Sequence, residues 1–419
     1  MRRTLGNNAP MTDTVPLRVL RTLAAVAETG SVTRAARALH QSSSSVSRAV
    51  QSAEATLGIR LFDRGARGVL PTAAGEVLAM RVTRAMQLLR AAADGLQLRG
   101  APASVAALPR LVSDTSLQAL AARSAHLTES AAAVALGMSQ SALHQALGRL
   151  EHLAKVQLFE RTRIGTRLNE SGRWLLQHTQ QALAEIRIGH EELARWRGLT
   201  GRQVSIGSLP MAGDVLVPRA AALALAAQPD LRLAVKDGTY DALIDMLRAA
   251  DIDFVVGPLR GVSAAPDLVE EVLFVDRFVA VVRAGHPLLN RPRRKGVAAQ
   301  LKQMVAYPWI GALPGTPAQR AFERLFADAG IAPPEVSLQA HSTAVVRSVL
   351  LSGDHIALVS PLQVRAEVDG GLLVHACGPF VGTERAIGIA QRRDALASSA
   401  CAHVLACLRQ ATVEATGNK

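Results

Sequence analysis

Residues 31–64 read SVTRAARALHQSSSSVSRAVQSAEATLGIRLFDR, and residues 128–161 read TESAAAVALGMSQSALHQALGRLEHLAKVQLFER. The second stretch is the first moved along the chain by 97 positions, without a gap. The correspondence runs from residues 20–80 onto 117–177. Leu23 pairs with Leu120, Ala35-Ala36 with Ala132-Ala133, Ser42 with Ser139 and Glu54 with Glu151. Leu61-Phe62 meets Leu158-Phe159, Gly68 meets Gly165 and Gly75 meets Gly172. Chance does not keep apolar spacing and special residues together over such a length, so the chain contains an internal duplication.

Each copy has the same local grammar. In the first, Leu20, Leu23, Ala24 and Ala27 have the spacing of one helical face, and Gly30 stops that helix. Ser31 or Thr33 can cap a second helix, Arg34–Leu39. His40-Gln41 forms a tight turn, and Ser42–Ser45 opens a third helix through Val46, Val50, Ala53 and Leu57, whose other face is polar. Two helices joined by a tight turn, the second polar at its leading end, form a helix-turn-helix. Leu61–Arg64, the loop Gly65–Gly68 and Val69-Leu70 then make a small wing with basic residues at its tip. Short hydroxyl and amide side chains reach base edges from a helix in the major groove. Arginines and helix N-termini grip phosphates and fix register.

Thr33-x-Ala35-Ala36-x-x-Leu39, Ser42–Arg48, Leu57-Gly58-x-x-Leu61-Phe62-x-Arg64 and Thr72-x-Ala74-Gly75 together resemble the N-terminal domain of LysR-type transcriptional regulators. The second copy resembles it through Ser139–Leu143, Leu150-Glu151, Leu158–Thr162 and Glu170-Ser171-Gly172. Family members usually carry one such domain; this chain carries two. The resemblance implies that Ser43, Ser44 and Ser47 face bases while Ser42, Arg48 and Arg64 touch phosphates, with Arg67 on the wing. In the second copy it assigns Gln140, Ser141 and His144 to bases and Ser139, Gln145 and Arg161 to phosphates, with Arg163 on the wing. Gln145 stands where Arg48 stands, which removes a phosphate clamp. The first copy is therefore expected to be the surer reader. The second either reads DNA with altered specificity or serves as a packing module.

A long helix follows each wing. Leu78, Val82, Ala85, Leu89, Ala92 and Leu96 step by alternating fours and threes. So do Leu175, Thr179, Ala182, Ile186, Gly189, Leu193 and Trp196. Heptad seams of this kind pair helix with helix. In the resembled family this helix makes the dimer interface. Here the two seams can pair between chains or with each other. Residues 100–109, rich in Ala and Pro, form the joint between the copies.

From Gln203 the pattern changes to alternating strands and helices, first over 204–257 and again over 309–359, with a late strand 387–390 and a closing helix 398–412. This order implies two α/β lobes with mostly parallel sheets, whose ligand sits where strand carboxyl ends meet helix N-termini. By position the candidates are Ser208, Leu209, Pro210 and Thr239 in the first lobe, and Gly311, Leu313, Ser342 and Thr343 in the second. The lobes resemble the family's effector domain, itself like a periplasmic solute-binding protein. Asp253–Arg260, Gly285–Leu288 and Ser360–Val364 look like the subgroup containing galactose-binding-protein and protocatechuate regulators. That implies a sugar or an aromatic or other organic acid as effector.

The expected architecture is thus multidomain. Two winged helix-turn-helix domains (15–75 and 112–172), each with a linker helix (76–100 and 173–198), precede a two-lobed α/β domain over 202–415. The net charge of +13 divides as +11 over residues 1–200 and +2 over the rest. Concentrated positive charge is the footprint of a polyanion binder. The expected partners are double-stranded DNA, a small effector, further copies of the chain and RNA polymerase, and no membrane. Three cysteines, Cys377, Cys401 and Cys407, do not make a disulfide framework. No secretory signal pattern or run of 18 apolar residues is evident, so a cytoplasmic protein is expected, its first dozen or so residues a loose tail. Zinc-ligand spacing, a phosphate loop and the G-x-S-x-G elbow are missing from the sequence, so no metal, cofactor or enzymatic role is expected. A transport-type solute binder would not need the helix-turn-helix units, and an architectural DNA binder would not need the lobes.

Overall fold

The computed structural model describes residues 15–65, 68–163, 165–197, 203–261 and 267–417. The expected N-terminal tail and Arg67 on the first wing lie outside the described residues. The chain folds as two compact units, one holding residues up to Arg202 and the other nearly everything from Gln203 onward.

The first unit begins with α1 (Leu17–Thr29), α2 (Val32–Ala38), α3 (Ser43–Leu57), β1 (Phe62–Gly65), β2 (Gly68–Pro71) and α4 (Ala73–Leu98). After α5 (Leu108–Leu111) come α6 (Asp114–Ala125), α7 (Glu129–Ala135), α8 (Gln140–Ala154), β3 (Phe159–Thr162), β4 (Gly165–Leu168) and α9 (Glu170–Trp196). The offset of 97 holds to the residue for α2 and α7, α3 and α8, and both wing hairpins. It holds for the polar devices too. Glu54 Oε1 accepts the Leu61 amide at 2.8 Å, and Glu151 Oε1 accepts that of Leu158 at 2.8 Å, so each carboxylate ties recognition helix to wing. The turn of each helix-turn-helix needs a left-handed residue, His40 (φ 53°) in one copy and Gly137 (φ 65°) in the other. Each long helix starts against the wing so closely that a Cβ on Gly75 or Gly172 would overlap the carbonyl oxygen of Leu61 or Leu158.

The two long helices pair with each other inside the chain, running antiparallel. Leu78, Val82, Ala85, Leu89, Ala92 and Leu96 of α4 are buried, as are Leu175, Thr179, Ala182, Ile186, Gly189 and Leu193 of α9. Trp196, expected on the seam, is 52% exposed. With Arg81 of α4 set against Gly189, Trp196 falls opposite the first residues of α4, where the seam ends. The joint is ordered as well: Ala101, Val105, Leu108 and Val112 are buried in the same core.

Arg81 lies in this seam with 1% of its side chain exposed. Its Nη1 donates to Glu185 Oε2 at 2.9 Å, while Nε and Nη2 donate to the two carboxylate oxygens of Glu192 at 2.9 Å each. Burial disfavours the charge, but the hydrogen bonds to Glu192 and Glu185 outweigh it and hold the guanidinium above its ordinary pKa. Gly189 makes the room: a Cβ there would lie 3.2 Å from Arg81 Cβ. Farther along, the Trp174 ring occupies the space over Gly95, where any Cβ would overlap it, and Trp174 Nε1 donates to the Ala92 carbonyl at 3.1 Å.

The second unit holds two five-stranded sheets. Its elements are β5 (Gln203–Ser208), α10 (Pro210–Ala227), β6 (Arg232–Asp237), α11 (Tyr240–Arg248), β7 (Phe254–Pro258), β8 (Leu268–Asp276) and β9 (Val279–Arg283). Next come α12 (Val297–Met304), β10 (Trp309–Gly311), α13 (Pro317–Asp328), β11 (Val336–Gln339), α14 (Thr343–Ser352) and β12 (Ile356–Val359). The chain closes with α15 (Arg365–Asp369), β13 (Leu373–Cys377), β14 (Arg385–Arg392) and α16 (Ser399–Thr416). The sheets run β6-β5-β7-β14-β8 and β11-β10-β12-β9-β13. Both parallel triplets match expectation. The late strand β14 returns to the first lobe, antiparallel to β7 and β8, so the chain crosses between lobes twice. Strands β8, β9 and β13 were not anticipated. Helix α10 starts at Pro210, whose fixed φ suits a first helical position. Helix α10 is apolar and long enough to cross a membrane by composition, because it packs between the sheet and α16. All three cysteines are buried.

Replacing Arg81 with Ala leaves Glu185 buried without its cation. Loss of one partner from a buried pair costs about 3–5 kcal/mol. The first unfolding transition of the full chain in urea should move to clearly lower denaturant, and an unmoved transition would show that the seam does not rest on this group. The seam also predicts a pH effect. Burial pushes the imidazoles of His178 and His190 below their ordinary pKa, against hydrogen bonds to the Trp174 and Ile186 carbonyls that raise it. The unfolded chain therefore binds more protons below about pH 6.5, and stability falls as pH drops through that value. The melting temperature should drop from about pH 7.5 to 5.5, and His178→Gln should shrink the drop; an equal drop in the variant would assign it elsewhere.

Candidate functional site

Helix α3 presents its leading end to solvent. Ser42 caps it, accepting the Ser45 amide at 3.1 Å, and its hydroxyl lies 3.0 Å from that of Ser44. Ser43 and Ser44 are exposed and Ser47 is half-buried, while Val46, Val50 and Ala53 on the opposite face are buried. The amphipathic spacing fixes that orientation: burying the valines turns the serines outward. Arg48 is exposed and lies along the helix, its Nε donating to the Ser44 carbonyl at 3.4 Å. The backbone of Arg64 is in β1 at the start of the wing.

Helix α8 repeats this frame with other side chains. Ser139 caps it through the Ala142 amide at 3.2 Å and lies 3.0 Å from the Ser141 hydroxyl. Gln140, Ser141, His144 and Gln145 are exposed, and Arg161 and Arg163 are exposed on the second wing. Thus each copy brings its nominated recognition-helix residues onto one solvent-facing edge.

Two differences escaped sequence reading. Arg34 and Arg37 stand exposed on α2, beside the recognition helix, and their counterparts on α7 are Ala131 and Val134, the latter 78% exposed. The signal was present: two arginines flank Ala35-Ala36, the buried pair of that short helix. In addition, His144 Nδ1 lies 3.4 Å from Glu129 Oε2, so a carboxylate sits on the second copy's polar edge where the first has Val32. The first copy's edge is therefore cationic, and the second's nearly neutral.

In the second unit the nominated residues sit at strand ends as expected. Ser208 and Leu209 are buried where β5 meets α10, and Pro210 opens that helix. Thr239 is exposed, and its hydroxyl accepts the Ala242 amide at 3.3 Å as an ordinary helix cap. Gly311 ends β10, Leu313 is exposed beyond it, and exposed Ser342 precedes α14 without a side-chain capping bond. Thr343 is buried at the start of α14 and accepts from the residue that joins the lobes. Gln363 Nε2 donates to Thr343 Oγ1 at 2.9 Å and to Asp214 Oδ2 of α10 at 3.2 Å, so one amide touches both lobes across the cleft. Gln363 was part of a family-like phrase but was not nominated.

The two crossovers between the lobes are pinned together. Asp276 accepts the Ser360 hydroxyl at 2.9 Å and a two-pronged bond from Arg385 at 2.9 and 2.7 Å; the guanidinium stacks on Phe278. Beside this hinge is a cavity of about 470 Å³ lined by Arg260, Arg320, Arg324 and Arg385 with Leu259 and Phe278, among others. None of the eight nominated effector residues lines it. No cluster of metal-ligating side chains occurs among the described residues.

The duplicated winged helix-turn-helix and the hinged pair of lobes have counterparts in known proteins. The model of the bacterial regulatory helix-turn-helix protein, lysR family, matches residues 17–76 and again 115–173, and the LysR substrate binding domain matches 197–413. HTH-type transcriptional regulator GalR of Pseudomonas putida is 33% identical over 394 residues, covering 93% of this chain and 95% of its own. An alignment of that extent runs through both helix-turn-helix copies. YdcI of Escherichia coli, an uncharacterized regulator, is 28% identical over 67% of this chain and 89% of its own. Among solved structures, full-length LysG from Corynebacterium glutamicum with bound effector Arg aligns with a TM-score of 0.52 at 16% identity, over 71% of this chain and 97% of its own. The chain belongs to the LysR family of bacterial transcriptional regulators. It is a DNA-binding regulator with an effector-binding C-terminal domain, and the relatives it matches are regulators rather than enzymes.

Proposed function

We propose that the first copy is the principal grip on DNA, with Ser43, Ser44 and Ser47 reading base edges. Ser42, Arg48, Arg64 and the wing Arg67 hold phosphates, and Arg34 and Arg37 on α2 join them. The second copy uses Gln140, Ser141 and His144 on bases, and Ser139, Gln145, Arg161 and Arg163 on the backbone. The observation that supports this reading is the matched pair of capped, serine-led helix ends, both solvent-facing. A helix N-terminus with solvent-facing hydroxyls next to arginines suits the major groove and its flanking phosphates. Arg48→Ala should weaken binding on all sequences and flatten the dependence of log K on log salt by about one unit. A band-shift titration across salt concentrations checks it; an unchanged slope would remove Arg48 from the phosphate contacts.

The same reading places the effector in the cleft between the lobes, contacted by Ser208, Leu209, Pro210, Thr239, Gly311, Leu313, Ser342 and Thr343. Gln363, which touches both lobes, is the residue whose contacts closure would change. A ligand shifts such an equilibrium only by its differential affinity for the two lobe arrangements. A second reading puts the effector in the cavity beside the hinge, which none of those eight residues lines; Arg260, Arg320, Arg324 and Arg385 line it against one carboxylate, Glu384, and that balance favours an organic acid over a neutral sugar. The regulator works in the cytoplasm as a homo-oligomer that engages RNA polymerase at the promoter. The expected five-part division of the chain at 15–75, 76–100, 112–172, 173–198 and 202–415 serves these roles. Calorimetric titration with a panel of small carboxylates and neutral sugars should yield binding only among the carboxylates, weakened at least tenfold by an Arg320→Ala/Arg324→Ala double variant. Sugar binding unaffected by that variant would reverse the choice of ligand class.

A further inference from the structure

We infer that one chain is a complete two-headed DNA reader, built to engage an operator made of two unlike half-sites. This rests on the DNA-binding reading above and adds to it how the two copies are used. The case comes from the seam, which is not symmetric although the copies are.

The pairing of α4 with α9 is pseudo-twofold: each contact has a mate found by moving both residues through the offset of 97. The mate of Arg81 is His178, and the mates of Glu185 and Glu192 are Leu88 and Gly95. The guanidinium and its two carboxylates thus occur on one side of the pseudo-axis only. On the other side the large ring of Trp174, packed against His178, lies over Gly95, and the mate of Trp174 is the smaller Val77. At the ends of α1 and α6 the same asymmetry appears on the axis itself. The Leu17 amide donates to both carboxylate oxygens of Asp114 at 3.0 Å, and Asp114 is the residue that corresponds to Leu17.

Consider the alternatives that exchange between chains would offer. Two first copies joined through α4 would set each Arg81 against Leu88 and Gly95, a buried cation with no carboxylate. They would also put Leu17 against Leu17, leaving the α1 amide uncapped. Two second copies joined through α9 would set Trp174 against Glu192, where only glycine leaves space, put His178 in place of the arginine against Glu185 and Glu192, and set Asp114 against Asp114. Only the mixed pair satisfies the buried groups. Specificity comes here from penalties against wrong partners as much as from favourable contacts. The buried, ordered joint of Ala101, Val105, Leu108 and Val112 sets that mixed pair within one chain.

A pair of reading heads related by a twofold axis matches the twofold of the duplex, and identical heads therefore read palindromes. Here the heads share a serine at Ser44 and Ser141 but differ at the other two base-facing positions: Ser43 and Ser47 stand against Gln140 and His144. They differ again at the phosphate-facing position, Arg48 against Gln145. The preferred site is then two different half-sites in fixed order, with tighter grip on the half under the first copy.

The test is selection of binding sites from a randomised duplex library by the full-length protein. It is repeated with the triple variant Gln140→Ser/His144→Ser/Gln145→Arg, whose changes are all at exposed positions. The wild type should select two unlike halves, and the variant should select a site whose second half has changed toward the inverted repeat of the first. A wild-type consensus that is already a palindrome would overturn the inference while leaving the DNA-binding reading intact. So would a variant consensus identical to that of the wild type. Failure to enrich any sequence, with no salt-sensitive complex, would instead strike at the DNA-binding reading and remove the inference with it. As a second measurement, Arg48→Ala should lose protection mainly in one half-site of a hydroxyl-radical footprint; equal loss in both halves would count against unlike heads.

Discussion

A guanidinium with 1% of its surface exposed, held by two carboxylates from another helix, fixes the first half of this molecule. Arg81 cannot leave its pocket without stranding Glu185, the buried carboxylate that its Nη1 holds. The group is not an efficient source of stability, since a hydrophobic filling of the same volume would often serve as well or better. What it provides is choice of partner. A leucine seam accepts many registers and many mates, whereas this charged cluster accepts the one arrangement that places its carboxylates.

That choice has consequences for the DNA-reading surface. The recognition helices are each anchored to a wing by a glutamate and each wing to a long helix by a glycine contact, so the geometry passes from the seam to the two serine-capped ends. With the heads fixed by the same chain, chain concentration no longer decides whether both are present. Duplication then frees the second copy to drift. It has Ala131, Val134 and Gln145 where the first has Arg34, Arg37 and Arg48, and Glu129 beside His144, differences that a symmetric dimer could not hold in one head alone.

In the second unit the comparable constraint is Asp276, which joins both crossovers through Ser360 and Arg385. Two strands of chain passing between lobes make a hinge, and a buried ion pair at their crossing limits how that hinge can bend. Gln363 adjoins this cluster, its Oε1 accepting the Ser360 amide at 3.3 Å, and its Nε2 reaches Thr343 of one lobe and Asp214 of the other.

The duplication, the helix-turn-helix, the wings and the strand–helix order of the lobes could all be read from the sequence. Each depends on neighbours within a few residues: apolar periodicity, a serine cap, a glycine at a turn. The recognition edges followed, because burying Val46 and Val50, or Leu143 and Ala146, leaves the polar side chains nowhere but outward. Trp196 looked like a seam residue by the same logic and was not, because periodicity gives a face and not the length of the partner. Partners 104 and 111 positions apart, such as Glu185 and Glu192 for Arg81, leave no local pattern. The same holds for the return of β14 to the first lobe and for the Asp276–Arg385 crossing. A heptad states that a helix has a mate; only the packed structure, where burial makes an unpaired charge costly, determines which one.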